Sequence, residues 1–232
     1  MLFSEKTMDK ERDTSKNSEQ LNNLPVLETN PAREFFDFVI DLLKTGLIVF
    51  ILAIILRYLA VQPYIVDGES MMPNYHNHEY LLAEKVSYLI GQPERGDVIV
   101  FKYPKNTSVN YIKRVIGLPG DTVKIYNNEV VIVNADHPAG FVLDESSYLP
   151  KENQTLMPDG DPFSQVLGTD QYFVLGDNRE HSSDSRDWGI LPKNDISGRA
   201  WLTLLPFDRA SVHKRVTYSL GYPLLLPSLA LH

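Results

Sequence analysis

Three short segments hold residues whose types and spacing could do chemistry. The first is Gly68-Glu69-Ser70-Met71-Met72-Pro73, at the end of the extended stretch Tyr64-Ile65-Val66. A serine at a strand-to-turn junction can offer its hydroxyl and its own N–H to one space, a nucleophile and an oxyanion donor from a single residue. Taken alone it also fits an ordinary turn serine. It is not a Gly-x-Ser-x-Gly elbow, because Met72 stands in place of the second glycine. The second segment runs from Tyr111 to Asp121 and contains Lys113-Arg114 and Leu118-Pro119-Gly120-Asp121. In a strand the two neighbours Lys113 and Arg114 point to opposite faces, and Ile112 and Val115 are expected together on the face away from Lys113. A lysine turned against apolar surface loses hydration, its pKa falls, and its neutral amine can act as a base. The bland reading is a solvated Lys-Arg pair. The third segment, Gly176 to Gly189, packs hydroxyls, acids and arginines so densely that it needs internal hydrogen bonds and ion pairs if partly buried. It also reads as a polar surface loop, and it lacks the regular oxygen ligands of an EF-hand.

Other constellations are weaker. His76-x-His78 could set two imidazoles on one strand face, but no third ligand follows at metal-site spacing, so no metal is expected. A Ser-His-Asp triad would need a histidine beside Ser70, and of the six histidines His181 is the least unsuitable.

The elements that must position these residues are mostly strands. Tyr80–Val86, Asp97–Tyr103, Asn110–Ile116, Thr122–Tyr126, Glu129–Val133 and Gln171–Leu175 are β-branched or aromatic runs bounded by turn residues. Tyr126-Asn127-Asn128-Glu129 reads as a tight hairpin with φ > 0 at both asparagines. Segment 144–170 is polar and rich in Pro and Gly, which predicts a long loop, and no long helical period follows residue 62. Ahead of this domain lies the apolar run Thr45–Val61, which Phe38 to Leu43 can extend. Leu47 to Leu56 is apolar all round, unlike a core helix, which would keep a polar face. The run starts too deep in the chain for a cleavable export signal, and no small-x-small site follows before Pro63, so an uncleaved membrane anchor is expected. The domains expected are a polar, disordered cytoplasmic tail over 1–36, a transmembrane anchor over 37–61, a β-rich catalytic domain over 62–209, and a C-terminal tail over 210–232.

The 232 residues carry 22 Lys and Arg against 30 Asp and Glu, a net charge of −8, which argues against nucleic acid as a partner. The absence of cysteine excludes a thiol nucleophile, a disulfide framework and a cysteine zinc site. The 43% hydrophobic content is that of a folded chain.

These three segments, in this order behind an anchor, resemble the bacterial type I signal peptidases. The family's Ser-Met-x-Pro box corresponds to Ser70-Met71-Met72-Pro73. Its Lys-Arg box with Gly-x-Pro-Gly-Asp corresponds to Lys113-Arg114 through Asp121, and its Gly-Asp-Asn-Arg box to Gly176 through Arg186. Arg95-Gly96-Asp97-Val98-Ile99 and Gly198-Arg199-Ala200 also look like family segments, and the resemblance covers roughly residues 36 to 209. It implies a mainly β fold and a Ser-Lys dyad serine endopeptidase that removes signal peptides from exported preproteins. The enzyme would be a single-pass cell-membrane protein with its catalytic domain on the extracytoplasmic side and no cofactor. Ser70 would be the nucleophile and Lys113 the base. Ser182 would hydrogen-bond and orient the lysine, with Asp184 and Arg186 as the structural pair behind. Tyr64, Val66, Gly68, Met71 and Ile112 would bind substrate. Some members carry a serine two places before the nucleophile to help hold the oxyanion; this chain has Gly68 there, as other members do, which leaves the second oxyanion donor open. Two rivals remain at this level: a self-cleaving repressor, which would need a DNA-binding domain where the anchor stands, and a membrane-tethered β domain that binds partners without catalysis.

Overall fold

The structure is a computed structural model that describes residues 30–150, 155–157, 163–216 and 218. Helix α1 runs over Pro31–Ala60, with Pro31 at its first turn, where a missing N–H costs nothing, and Glu34 near the positive end of its dipole. Among the described helices it alone is long and apolar enough to cross a membrane. Its 30 residues span about 45 Å. The helix therefore begins ahead of the expected boundary at residue 37: Asp37, Asp41 and Lys44 are tolerated on exposed helical turns, with Lys44 paired to Asp41 at 3.2 Å. Most of the expected polar tail, residues 1–29, lies outside the described residues.

The chain after α1 is mainly β. The strands are β1 (Val61–Ile65), β2 (Tyr80–Glu84), β3 (Val98–Tyr103), β4 (Asn106–Gly117), β5 (Thr122–Tyr126), β6 (Glu129–Val133), β7 (Phe141–Val142), β8 (Phe163–Val166), β9 (Gln171–Leu175), β10 (Leu191–Pro192), β11 (Ile196–Leu205) and β12 (Ser211–Val212). Two short helices intervene, α2 (Val86–Ile90) and α3 (Ser185–Trp188). One sheet has the order β1-β2-β11-β3-β4-β9-β10, with β12 beside β11; a smaller one has the order β7-β6-β5-β8. Every pairing is antiparallel. The β5–β6 hairpin turns at Asn127 and Asn128 with φ of 50° and 65°, as the Asn pair predicts. Segment 144–170 departs from expectation: Phe163–Val166 forms β8 and pairs with β5, its burial alternating along the strand.

Three apolar clusters hold these layers. Ile116, Val123, Ile132 and Phe173 join the small sheet to the large one. Val66, Met71, Leu81, Val98 and Val100 lie beneath the Ser70 turn, with Ile112 against them. Ile99, Phe101, Val115, Val174 and Leu191 form the third. Ile112 and Val115 thus face opposite ways rather than sharing a face. Positions three apart on a regular strand cannot coincide, and the β4 register is regular from Asn110 to Arg114, opposite β3.

Candidate active site

Ser70 follows β1 through Asp67-Gly68-Glu69. Gly68 takes φ of +99°, which a side chain would strain, and its amide donates to the Asn77 side chain at 3.0 Å. Beyond Ser70 the chain turns tightly, the Asn74 and Tyr75 amides both reaching the Met71 carbonyl at 3.0 Å. Met71 and Tyr75 plug this turn into the core, 1% and 3% exposed. The loop Gly176–Asn178 grips the turn from the other side. The Asn178 amide donates to the Ser70 carbonyl at 3.0 Å, and the Asn178 side chain to the Glu69 carbonyl at 3.2 Å. Gly176 is needed here: a Cβ would stand 2.5 Å from the Ser70 carbonyl oxygen and collide with the Ser182 side chain. The Ser70 amide itself has no acceptor among the described residues, which leaves it free to meet an oxyanion.

Lys113 comes from β4. Its side chain is 4% exposed, and its Nζ lies 2.6 Å from the Ser70 hydroxyl and 2.9 Å from the Ile112 carbonyl. The Tyr111 ring sits 5.3 Å from Nζ. Burial strips water from the ammonium and pulls the pKa down from 10.5 to about 8, against the opposing pull of the Asp184 and Asp177 carboxylates. The neutral amine then has a lone pair within reach of the Ser70 proton, the kind of pairing that activates a serine hydroxyl.

The polar third segment is a buried scaffold. Arg114 grips Asp177 through two bonds of 2.7 and 2.6 Å, and Asn74 reaches the same carboxylate at 2.8 Å. Asp184 accepts from the Gly176 amide at 3.0 Å and from the Arg186 guanidinium at 2.8 Å. Arg179 binds the Gly176 carbonyl at 3.0 Å and forks onto Glu145 at 2.8 and 2.6 Å. Asp184 and Arg186 thus form an ion pair that holds the Gly176 loop. Ser182 is brought to the site, against Gly176, but the bond expected from it to Lys113 is not formed: its buried hydroxyl has no partner among the described residues. Lys113 Nζ is instead satisfied by Ser70 and by its own strand's carbonyl.

A cleft of about 370 Å³ opens at Ser70 and Lys113. Tyr64, Val66, Gly68 and Ile112 line it, with Leu81 and Val100 as its apolar floor. Met71 does not; its side chain is consumed by the core beneath the turn. The cleft lies between two strand edges with spare hydrogen-bonding groups. Among the described residues β1 pairs only with β2, and Asn106–Lys113 of β4 pairs only with β3. The His76 ring lies 3.2 Å from the Glu79 carboxylate, and His78 sits in a turn with φ of 66°, so the two imidazoles serve different local ends. Among the described residues no three metal-ligating side chains converge.

The family model for "Signal peptidase, peptidase S26" matches residues 39–205. The chain belongs to the signal peptidase family, peptidase S26. It is 36% identical over 177 residues to Signal peptidase I S of Bacillus subtilis (strain 168), covering 73% of this chain and 91% of the relative. Against Signal peptidase I P of Bacillus subtilis subsp. natto it is 36% identical over 172 residues, covering 74% and 91%. Against Probable signal peptidase I-1 of Synechocystis sp. (strain ATCC 27184 / PCC 6803 / Kazusa) it is 32% identical over 191 residues, covering 79% and 91%. This peptidase is therefore a hydrolase with signal peptidase activity. Its three boxes meet at one point, although Ser70 and Lys113 are 43 residues apart and Asn74 and Asp177 are 103 apart. His181, weighed in the sequence only as a triad partner, lines the cleft wall; sequence reasoning missed Ser183 beside it, and Glu145 and Tyr148 behind it. No signal singled out Glu145, because the segment read as loop holds six carboxylates and the burial of Arg179 that requires one is a tertiary fact.

Proposed function

We propose that this chain is a membrane-anchored serine endopeptidase that removes N-terminal signal peptides from exported preproteins, with Ser70 as nucleophile and Lys113 as general base. The observation that carries the reading is the 2.6 Å approach of a buried lysine amine to the Ser70 hydroxyl. Neutral Lys113 takes the hydroxyl proton as Ser70 Oγ attacks the scissile carbonyl, and the Ser70 amide meets the oxygen as it becomes negative. Lys113 then returns that proton to the leaving amine, freeing the mature protein. In the second half it takes a proton from water as the water attacks the acyl-enzyme, and hands it back to Ser70 Oγ.

The free edges of β1 and β4 suit an extended substrate that adds as a strand. Its side chains would alternate so that P1 and P3 face the cleft. Shallow apolar walls at Val66, Leu81, Val100 and Ile112 favour small residues such as Ala at those positions. Helix α1, as a single span, would hold the site on the extracytoplasmic face where the substrate's own apolar helix is held, raising its effective concentration. The test is cleavage of a purified preprotein by the full chain in lipid vesicles, followed by sequencing of the product's new N-terminus. A single cut after a small-x-small motif is expected; cuts scattered through the preprotein, or none, would defeat the reading.

A further inference from the structure

Residues 211–216 and 218, beyond residue 205 where the family match ends, pack against the domain. Ser211 and Val212 pair with β11, and the His213 amide donates to the Trp201 carbonyl at 2.7 Å. The His213 ring lies on Tyr75 with 4.4 Å between centroids, and its Nε2 is 2.8 Å from the Thr203 hydroxyl. Arg215 closes over the buried Asp97 carboxylate at 2.9 and 3.3 Å and reaches Glu94 at 2.5 Å. The Tyr218 hydroxyl donates to that of Tyr148 at 3.0 Å, and the two rings meet edge to face at 87°. Tyr218 packs so closely on Gly96 that a Cβ there would stand 2.9 Å from its ring.

None of these residues lines the cleft, yet each presses on something that holds a reacting group; Arg215 does so through Asp97, whose carbonyl accepts the Val115 amide two places beyond Lys113 on β4. Tyr75 ends the turn that Ser70 begins. Tyr148 lies under the Arg114 guanidinium, 4.0 Å from ring centroid to the central carbon. Arg114 adjoins Lys113 on β4 and points the other way, onto the Gly96 carbonyl at 2.9 Å and onto Asp177. Asp177 precedes Asn178, whose amide holds the Ser70 carbonyl. The contacts thus form two lines, from His213 to the serine turn and from Tyr218 through Tyr148 and Arg114 to the lysine strand.

We propose that residues 211–216 and Tyr218 form a strap that positions the dyad, with His213 and Tyr218 as positioning residues. The proposal rests on the Ser70–Lys113 reading and goes beyond it. A 2.6 Å hydrogen bond between side chains from separate elements survives only while both supports are fixed, and displacement of about 1 Å can cost on the order of 100-fold in rate.

The experiment compares wild type, Ser70→Ala, Tyr218→Ala, Tyr218→Phe and Arg215→Ala as full-length chains in detergent micelles, cleaving one preprotein below their melting temperatures. Tyr218→Ala is expected to lower kcat by about tenfold or more while KM stays within about twofold, because the strap does not touch the cleft. Tyr218→Phe keeps the ring on Gly96 and Tyr148 and is expected to recover kcat to within about threefold of wild type. Arg215→Ala alters a side chain about one-third exposed and is expected to lower kcat about threefold, again with KM unmoved. A folded Tyr218→Ala with wild-type kcat overturns the proposal. If that variant does not fold, Arg215→Ala at wild-type kcat overturns it. Retained turnover in Ser70→Ala would instead be a failure of the dyad reading. The strap fails alone when Ser70→Ala is dead and the strap variants cleave at the wild-type rate.

Discussion

Lys113 can accept a proton only while it is neutral, and its burial decides how often that is so. With its pKa pulled down to about 8, roughly a tenth of the molecules carry the free amine at pH 7, against well under a thousandth for a solvated lysine. The sign follows directly. Below about 8 the ammonium dominates and cannot accept the Ser70 proton, and above it the amine dominates. The rate kcat/KM is therefore expected to rise about tenfold per pH unit on the acid side and level off above pH 8 along one ionisation. A stopped assay on a preprotein from pH 6 to pH 10 measures this. A profile flat across pH 8, or one that bends near 6.5 as a histidine would make it, would take the base role from Lys113. That Ser70 and Lys113 come together was legible in the sequence through the resemblance of the boxes that hold them; strand alternation alone left a solvated Lys-Arg pair open. The state of Ser182 was not, because which of three acceptors a lysine amine chooses depends on tenths of an ångström between β4 and the Gly176 loop.

At the scale of elements, the dyad depends on β4 being fastened to the loop after β9. The fastener is the Arg114–Asp177 pair, whose side chains are 5% and 0% exposed. Replacing Arg114 with Met keeps most of the volume but leaves Asp177 charged, buried and short of its main partner. Such a change costs about 3–5 kcal/mol, or a fall in melting temperature of about 10 °C for a domain this size. Thermal unfolding of the full chain in detergent, followed by tryptophan fluorescence, checks it; a melting point within about 2 °C of wild type would mean the pair is dispensable. Central strands such as β5, β6 and β9 were readable from β-branched runs and Asn turns, and their observed bounds coincide with the expected ones. The ten-residue β11 was not readable. Ser197-Gly198-Arg199 interrupts its apolar pattern, yet Gly198 is required because a Cβ there would stand 2.7 Å from the Glu84 carbonyl on β2. Bulges between Ala200 and Leu202 and between Thr203 and Leu205 break the alternation further. β8 and the Glu145–Tyr148 region were lost for a related reason: their apolar residues are few, and tertiary partners rather than local propensity order them.

In the whole molecule, one described helix long and apolar enough to cross a membrane precedes a mainly β domain. The tail before α1 is expected on the cytoplasmic side and residues 62–232 on the other, so protease added to intact spheroplasts should digest the domain and spare an epitope placed in the tail. The opposite pattern would reverse the topology. Whatever the proposed tether and strap contribute, Ser70 and Lys113 are proposed to perform the catalysis. The most direct test is the cleavage rate of one preprotein by wild type, Ser70→Ala and Lys113→Arg, each full length and each verified folded. The first loses the nucleophile with little loss of packing, and the second keeps the positive charge but cannot give up its proton at any workable pH. Both are expected to fall by a factor of about 1,000 or more, to the background of the assay. Substantial turnover by Lys113→Arg, with Ser70→Ala inactive, would contradict the dyad: the lysine would then be a fixed charge, and the base would have to be sought elsewhere, beginning with His181 at the cleft wall.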